Sequence, residues 1–204
     1  FSITRRAGDV EEAARILGNS FTLLLLFGVL LTAAGLAVKT PLLRALGASD
    51  ATLPYADAYL TVYLFGSVFV SLSLGLNSFI NAQGFARTGM LTVAIGAVLN
   101  LILDPLFIMV FHMGVQGAAL ATILSQAVSA AWTLRFLTGR KTLVRLSLQH
   151  MRFGARRVGK ILALGLSRFI MAITNSLVQM ACNASLQAYG GDIYVGVMTV
   201  INSV

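Results

Sequence analysis

Charge is what this sequence has least of. Only 11% of its 204 residues are charged, and seven of them are acidic. Soluble domains carry about twice that charged share, so a water-soluble globule is excluded. Cysteine occurs once, at Cys182 within an apolar run, so no intramolecular disulfide is available and the compartment stays open. Catalytic constellations are missing too. There is no His-Glu-x-x-His, no pair of intramembrane aspartates and no Gly-x-Ser-x-Gly. The two histidines, His112 and His150, lie far apart in the chain and read as interfacial residues rather than ligands. An enzyme is not expected, and the filter-like loop of a simple pore is absent as well.

What is present is apolar. Hydrophobic residues make up 57% of the chain and the mean hydropathy is +0.85. Uncharged runs recur at the length that crosses a bilayer, about 20 residues. The expected fold is an all-α polytopic membrane protein. A polar amphipathic segment, Arg5 to Arg15, leads into a first span over 16–38, which Lys39-Thr40-Pro41 is expected to stop. A loop to Tyr59 precedes a second span over 59–80. There Ser67, Ser71, Gly75 and Ser78 form a small-residue stripe, suited either to close helix packing or to the wall of a cavity. After a short loop, Asn77 to Gly89, spans over 90–113 and 117–137 complete the first half.

Those last two spans hold the most informative residues. From Thr88 to Leu134 the sole Asp, Glu, Lys or Arg is Asp104. A carboxylate in a membrane span costs about 2.5–3.5 kcal/mol on insertion scales, so it is expected to face protein or water and to be functional. Asn100 lies four residues earlier, on the same helix face. Folding the chain about Gly114 in His112–Gly117 brings Thr122, Ser125 and Gln126 to within about one turn of the same depth. Pro105 follows directly and is expected to free a carbonyl near Leu101. Acid, amide, hydroxyl and freed carbonyl together outline a site for a proton or small cation.

The formal charge of +8 does not point to nucleic acid, because the basic residues sit in loops between apolar runs. Arg135 to Lys160 carries eight of them and no acid, and KTLVRLSLQHMRF within it alternates apolar and basic residues, as a segment lying on a membrane surface does. A fifth span over 161–189 follows, with Arg168 placed to snorkel toward the interface. Asn175, Gln179 and Asn183 recur at four-residue spacing along it, as helix–helix hydrogen-bonding groups or as a cavity lining. After Gly190-Gly191-Asp192 a sixth span begins over 193–204. Twelve Lys and Arg fall on the side of the N-terminal segment, the Arg87 loop and the basic linker, against Lys39 and Arg44 opposite. The positive-inside bias therefore puts the linker in the cytoplasm.

These residues resemble a known family. NLILDPLFI followed by GVQGAALATILSQ resembles the fifth and sixth helices of multidrug and toxic compound extrusion (MATE) transporters. RRAGDVEEAAR is similar to the loop after their second helix, and SLQAYGGDIYVGVMTVINSV to the end of the seventh and start of the eighth. The likeness runs in order through essentially the whole chain and is nearest to the prokaryotic DinF- and MepA-like branch. It implies a piece of a twelve-helix bundle in two lobes around a central cavity, exporting amphiphilic, often cationic, cargo in exchange for H⁺ or Na⁺ across the cytoplasmic membrane. Residues 1–137 then belong to the N-lobe, 138–160 form the inter-lobe linker and 161–204 open the C-lobe.

The resemblance also implies roles. The N-lobe cation site of that branch matches Asn100, Asp104 and Thr122, with any Na⁺ at Asp104 and its remaining acid on a first helix outside this sequence. Gln126, Asn175, Gln179 and Asn183 are expected cavity-lining residues. Arg168 stands where relatives usually have proline, and Asn175 where several have an acid. The expected partners are the bilayer, small amphiphilic cations and the remaining helices, with no cofactor beyond the coupling ion and no nucleic acid. A lipid-linked oligosaccharide flippase of the same superfamily is the alternative reading.

Overall fold

The computed structural model describes residues 10–139, 141–147 and 154–203. Arg5 to Asp9, Arg140, His150 and Arg152 lie outside the described residues. Every regular element among those described is helical. Helix α1 covers Val10–Ala45, α2 Leu53–Phe65, α3 Ser67–Ala82, α4 Ala86–Pro105, α5 Gly114–Thr138 and α6 Ala155–Ser203, and a π-helical turn, Leu106–Val110, extends α4. Four helices, or five spans with α2 and α3 taken as one bent pair, are long and apolar enough to cross a membrane.

The first span does not stop at Lys39-Thr40-Pro41. The α1 helix starts at Val10 and runs through Pro41 to Ala45. Pro41 removes one backbone bond without ending the helix, and Lys39 is not forced into water because it donates to Asp57 Oδ2 at 2.7 Å and Thr61 Oγ1 at 2.8 Å. The stop comes at Gly47, whose φ of 95° suits a left-handed residue. Gly47 N–H bonds to Arg44 O and Ala48 N–H to Leu43 O, closing the helix in a Schellman pattern.

The second span is bent rather than straight, and longer than 59–80. Helices α2 and α3 meet at Gly66 with a bend of 57°. A Cβ on Gly66 would stand 2.2 Å from Ile123 Cγ1, so the chain must turn to let α5 pass. The polar atoms opened by the bend are satisfied from α1. Thr32 Oγ1 lies 2.8 Å from Leu64 O and 2.9 Å from Ser67 Oγ, and Ser67 Oγ donates to Gly28 O at 3.2 Å. The small-residue stripe serves packing at this interface: Ser67 bonds α1, and a Cβ on Gly75 would stand 2.6 Å from Leu24 Cδ1.

The third and fourth spans form an antiparallel pair, α4 against α5. Their turn is tighter than His112–Gly117, since α5 begins at Gly114 and the left-handed residues are His112 (φ 53°) and Gly114 (φ 54°). Gly96 faces Ser129 and Asn100 faces Thr122. The fold-back therefore centres near Phe111 rather than Gly114. The expected break at Pro105 is a change of helical pitch. Phe111 N–H bonds to Leu106 O, five residues back, and the helix widens into its π turn without unwinding.

The core sits at the end of the bundle that carries the linker. Leu17 of α1, Leu76 and Ile80 of α3 and Leu137 of α5 are fully buried there, together with Val144 and Leu146 of the linker. The segment Thr142 to Leu146 is thus not laid on a membrane surface. Thr142, Val144 and Leu146 are buried while Lys141, Leu143 and Arg145 are exposed, the two-residue alternation of an extended strap. Gln83 Oε1 holds the strap, accepting from Thr142 Oγ1 at 2.7 Å, Leu143 N at 3.0 Å and Val144 N at 2.9 Å.

One long helix, α6, replaces the separate fifth and sixth spans over 161–189 and 193–204. Gly190-Gly191-Asp192 continues it. Glycine permits a turn but does not impose one. At its start α6 is tied to α1, with Arg157 Nε donating to Glu12 at 2.9 Å and Gly154 N to Asn19 Oδ1 at 3.2 Å.

Candidate functional site

The site grows from the α4–α5 pair. Asn100 and Asp104, one turn apart on α4, are joined by a hydrogen bond from Asn100 Nδ2 to Asp104 Oδ1 of 3.1 Å. The same amide nitrogen makes a looser 3.5 Å contact with Thr122 Oγ1 across the pair. Thr122 gives its own hydroxyl proton to Ala118 O at 3.0 Å, so it presents lone pairs to Asn100. Asp104 Oδ2 meets no protein donor among the described residues. Asp104 immediately precedes Pro105 and the π turn, and single π turns recur at functional sites in helices.

Asn100 and Thr122 also wall a cavity of about 180 Å³ between α3, α4 and α5. Its polar lining comes from Ser73 and Asn77 of α3, Thr92 of α4, and Ser125, Gln126 and Ser129 of α5. Several of these hydroxyls are already spent on backbone carbonyls: Ser125 on Ala121 and Ser129 on Thr92. Two amide oxygens are not. Asn77 Oδ1 and Gln126 Oε1 are buried without a partner. A buried acceptor left unpaired costs about 1–3 kcal/mol, so both call for a donor or a cation in the cavity. The cavity itself offers neutral amide and hydroxyl oxygens, and the Asp104 carboxylate adjoins it through Asn100. Oxygen groups of this kind suit a proton or a hard monovalent cation rather than a thiophilic metal.

The expected residues divide three ways. Asn100, Asp104 and Thr122 are brought together. Gln126 lines the cavity but not at the depth of Asp104: with Asn100 opposite Thr122, Asp104 stands opposite about Ala118, and Gln126 lies about two turns away. Asn175, Gln179 and Asn183 stay on α6 away from this cavity. Asn183 Nδ2 donates to Leu46 O at 3.3 Å in the α1–α2 turn, a packing bond, while Asn175 and Gln179 are exposed. Arg168 is exposed on the same helix. Asn77 is the residue that sequence reasoning missed, having assigned it to a loop. Its signal is the Ser73–Asn77 pair, four residues apart on the α3 face opposite the small-residue stripe.

The comparisons with known proteins point the same way. The family profile described as MatE matches residues 7–106, which include Asn77, Asn100 and Asp104. A probable multidrug resistance protein, YpnP of Bacillus subtilis, is 31% identical over 92% of this chain and 42% of its own length. The multidrug export protein MepA of Staphylococcus saprophyticus is 27% identical over the same shares. A solved structure described as the inward-facing conformation of a multidrug resistance MATE family transporter of the MOP superfamily superposes with a TM-score of 0.89 at 30% identity, covering 97% of this chain and 45% of that one. The chain is similar to MATE transporters along nearly its whole length. It spans less than half the length of the MATE relatives it matches. The likeness is to a family of membrane transporters rather than to an enzyme family.

Proposed function

We infer that this chain is the greater part of the N-lobe, with the linker and first C-lobe helix, of a multidrug efflux antiporter driven by H⁺ or Na⁺ in the cytoplasmic membrane. The observation that carries the reading is Asp104, the single carboxylate of the α4–α5 pair, tethered to Asn100 beside Thr122 at the edge of a cavity with two unpaired amide oxygens. A proton or Na⁺ at Asp104 neutralises the carboxylate, and a cationic amphiphile drawn to the same carboxylate competes for that charge. The two ligands then exchange rather than bind together. Asn100 orients the carboxylate and Thr122 lends a hydroxyl oxygen. Residues 1–137 supply the N-lobe and 161–204 the entry into the C-lobe, and the basic linker 138–160 faces the cytoplasm under the positive-inside bias.

The test is made on the full-length transporter in cells. Expression lowers accumulation of a cationic dye, and collapsing both the proton and sodium gradients abolishes the effect. Unchanged dye accumulation, together with loss of a cell-envelope glycolipid on deletion, replaces this reading with that of a lipid-linked oligosaccharide flippase.

A further inference from the structure

A second cavity, of about 520 Å³, opens at the linker end of the same helix pair, lined by Thr88, Trp132, Arg135, Phe136, Gly139 and Lys141. Its two cations are exposed, and neither makes an ion pair among the described residues, whose salt bridges use Arg15, Lys39, Arg44 and Arg157. The acids described at this end, Glu11 and Glu12, are taken by Arg15 and Arg157. Positive charge is therefore left uncompensated at a defined hollow. Thr88, in the first turn of α4, adds a hydroxyl to the lining. Running away from the hollow along α5, Trp132, Val128 and Leu124 recur every four residues and are 40%, 47% and 40% exposed. Cationic head, indole at the boundary and apolar track below it follow one another along a single helix face.

We propose that this groove binds one anionic phospholipid, its phosphate between Arg135 and Lys141 and an acyl chain along Trp132, Val128 and Leu124. A soluble anion satisfies the two cations but not the track, and a zwitterionic lipid fills the track but brings its own cation to the head. The anionic lipid matches both, and tryptophan is enriched at this depth of the bilayer. Each basic side chain near an anionic surface contributes about fivefold in affinity, so loss of both weakens binding about 25-fold.

The experiment uses the full-length transporter, purified and delipidated, with retained lipid read by native mass spectrometry. Phosphatidylglycerol is expected to bind at least about tenfold more tightly than phosphatidylcholine. Arg135→Gln with Lys141→Gln should remove most of that preference, Arg135→Lys should keep it, and Arg145→Gln, an exposed cation on the same strap outside the groove, should leave it unchanged. Glycerol 3-phosphate should not displace the lipid at millimolar concentration. Equal binding of the two lipids, parent-like binding by the double variant, an equal loss in Arg145→Gln, or displacement by glycerol 3-phosphate would each overturn the proposal. The readout is binding alone, so it stands apart from whether the protein exports drugs.

Discussion

Gly66 and Ile123 occupy the same space but for one methyl group: a Cβ added to Gly66 would stand 2.2 Å from Ile123 Cγ1 and 2.6 Å from its Cγ2. Both atoms belong to a β-branched side chain with little rotamer freedom. Gly66→Ala should therefore destabilise the protein by about 1–3 kcal/mol, the usual cost of overpacking. Ile123→Ala in the same molecule should recover part of the loss. Thermal unfolding in detergent reads both, and a parent-like Gly66→Ala would mean that the bend is not held by α5.

Asp104→Asn in the full-length transporter should abolish gradient-driven efflux while leaving abundance near normal, because it removes the charge at almost constant shape. Asn100→Ala and Thr122→Ala should weaken coupling less, since neither carries the charge. Efflux by Asp104→Asn matching the parent across pH and sodium concentration would exclude the site.

Asp57 provides the contrast. It lies in α2 and pairs with Lys39 at 2.7 Å, both side chains partly exposed. Asp57→Asn should leave coupling intact and lower stability by under about 1 kcal/mol, in keeping with a partly solvated ion pair. A loss of efflux at normal abundance would extend the functional site to this pair.

Gln83 holds the linker strap by one oxygen shared among three donors. At about 1 kcal/mol for each bond, Gln83→Ala should favour local detachment by more than tenfold and speed tryptic cleavage at Lys141 and Arg145 accordingly. Gln83→Glu, which keeps an acceptor, should fall between. Equal cleavage rates in all three would show that burial of Val144 and Leu146 alone secures the strap.

Orientation is tested with cysteines in a background whose native cysteines are replaced by alanine. Leu143, 59% exposed on the strap, should resist membrane-impermeant thiol reagents in intact cells when changed to cysteine, whereas Ser49→Cys in the α1–α2 turn should label. The reverse pattern would invert the topology.

Membrane class, helical content and the pairing of Asn100 with Asp104 were legible from composition and local spacing. Hydropathy measures transfer into lipid and helical period is a property of the backbone, so neither needs a neighbour. The approximate meeting with Thr122 followed from placing a turn near His112–Gly117. The register within that hairpin was not legible, because a three-residue difference in where the chain folds moves Gln126 two turns from Asp104 without altering any local pattern.

What the tertiary structure alone decided is which face of each helix meets which partner. The small-residue stripe of α3 packs on α1, and its other face, through Ser73 and Asn77, lines the cavity. KTLVRLSLQHMRF reads locally as an amphipathic surface segment, yet Thr142 to Leu146 are drawn into the bundle because Gln83 offers an acceptor and the core has room for Val144 and Leu146. Lys39 stays within α1 because Asp57, eighteen residues away, is brought within reach. Each of these outcomes rests on contact between segments distant in the chain, and local sequence carries the propensity for a helix but not the identity of its neighbours.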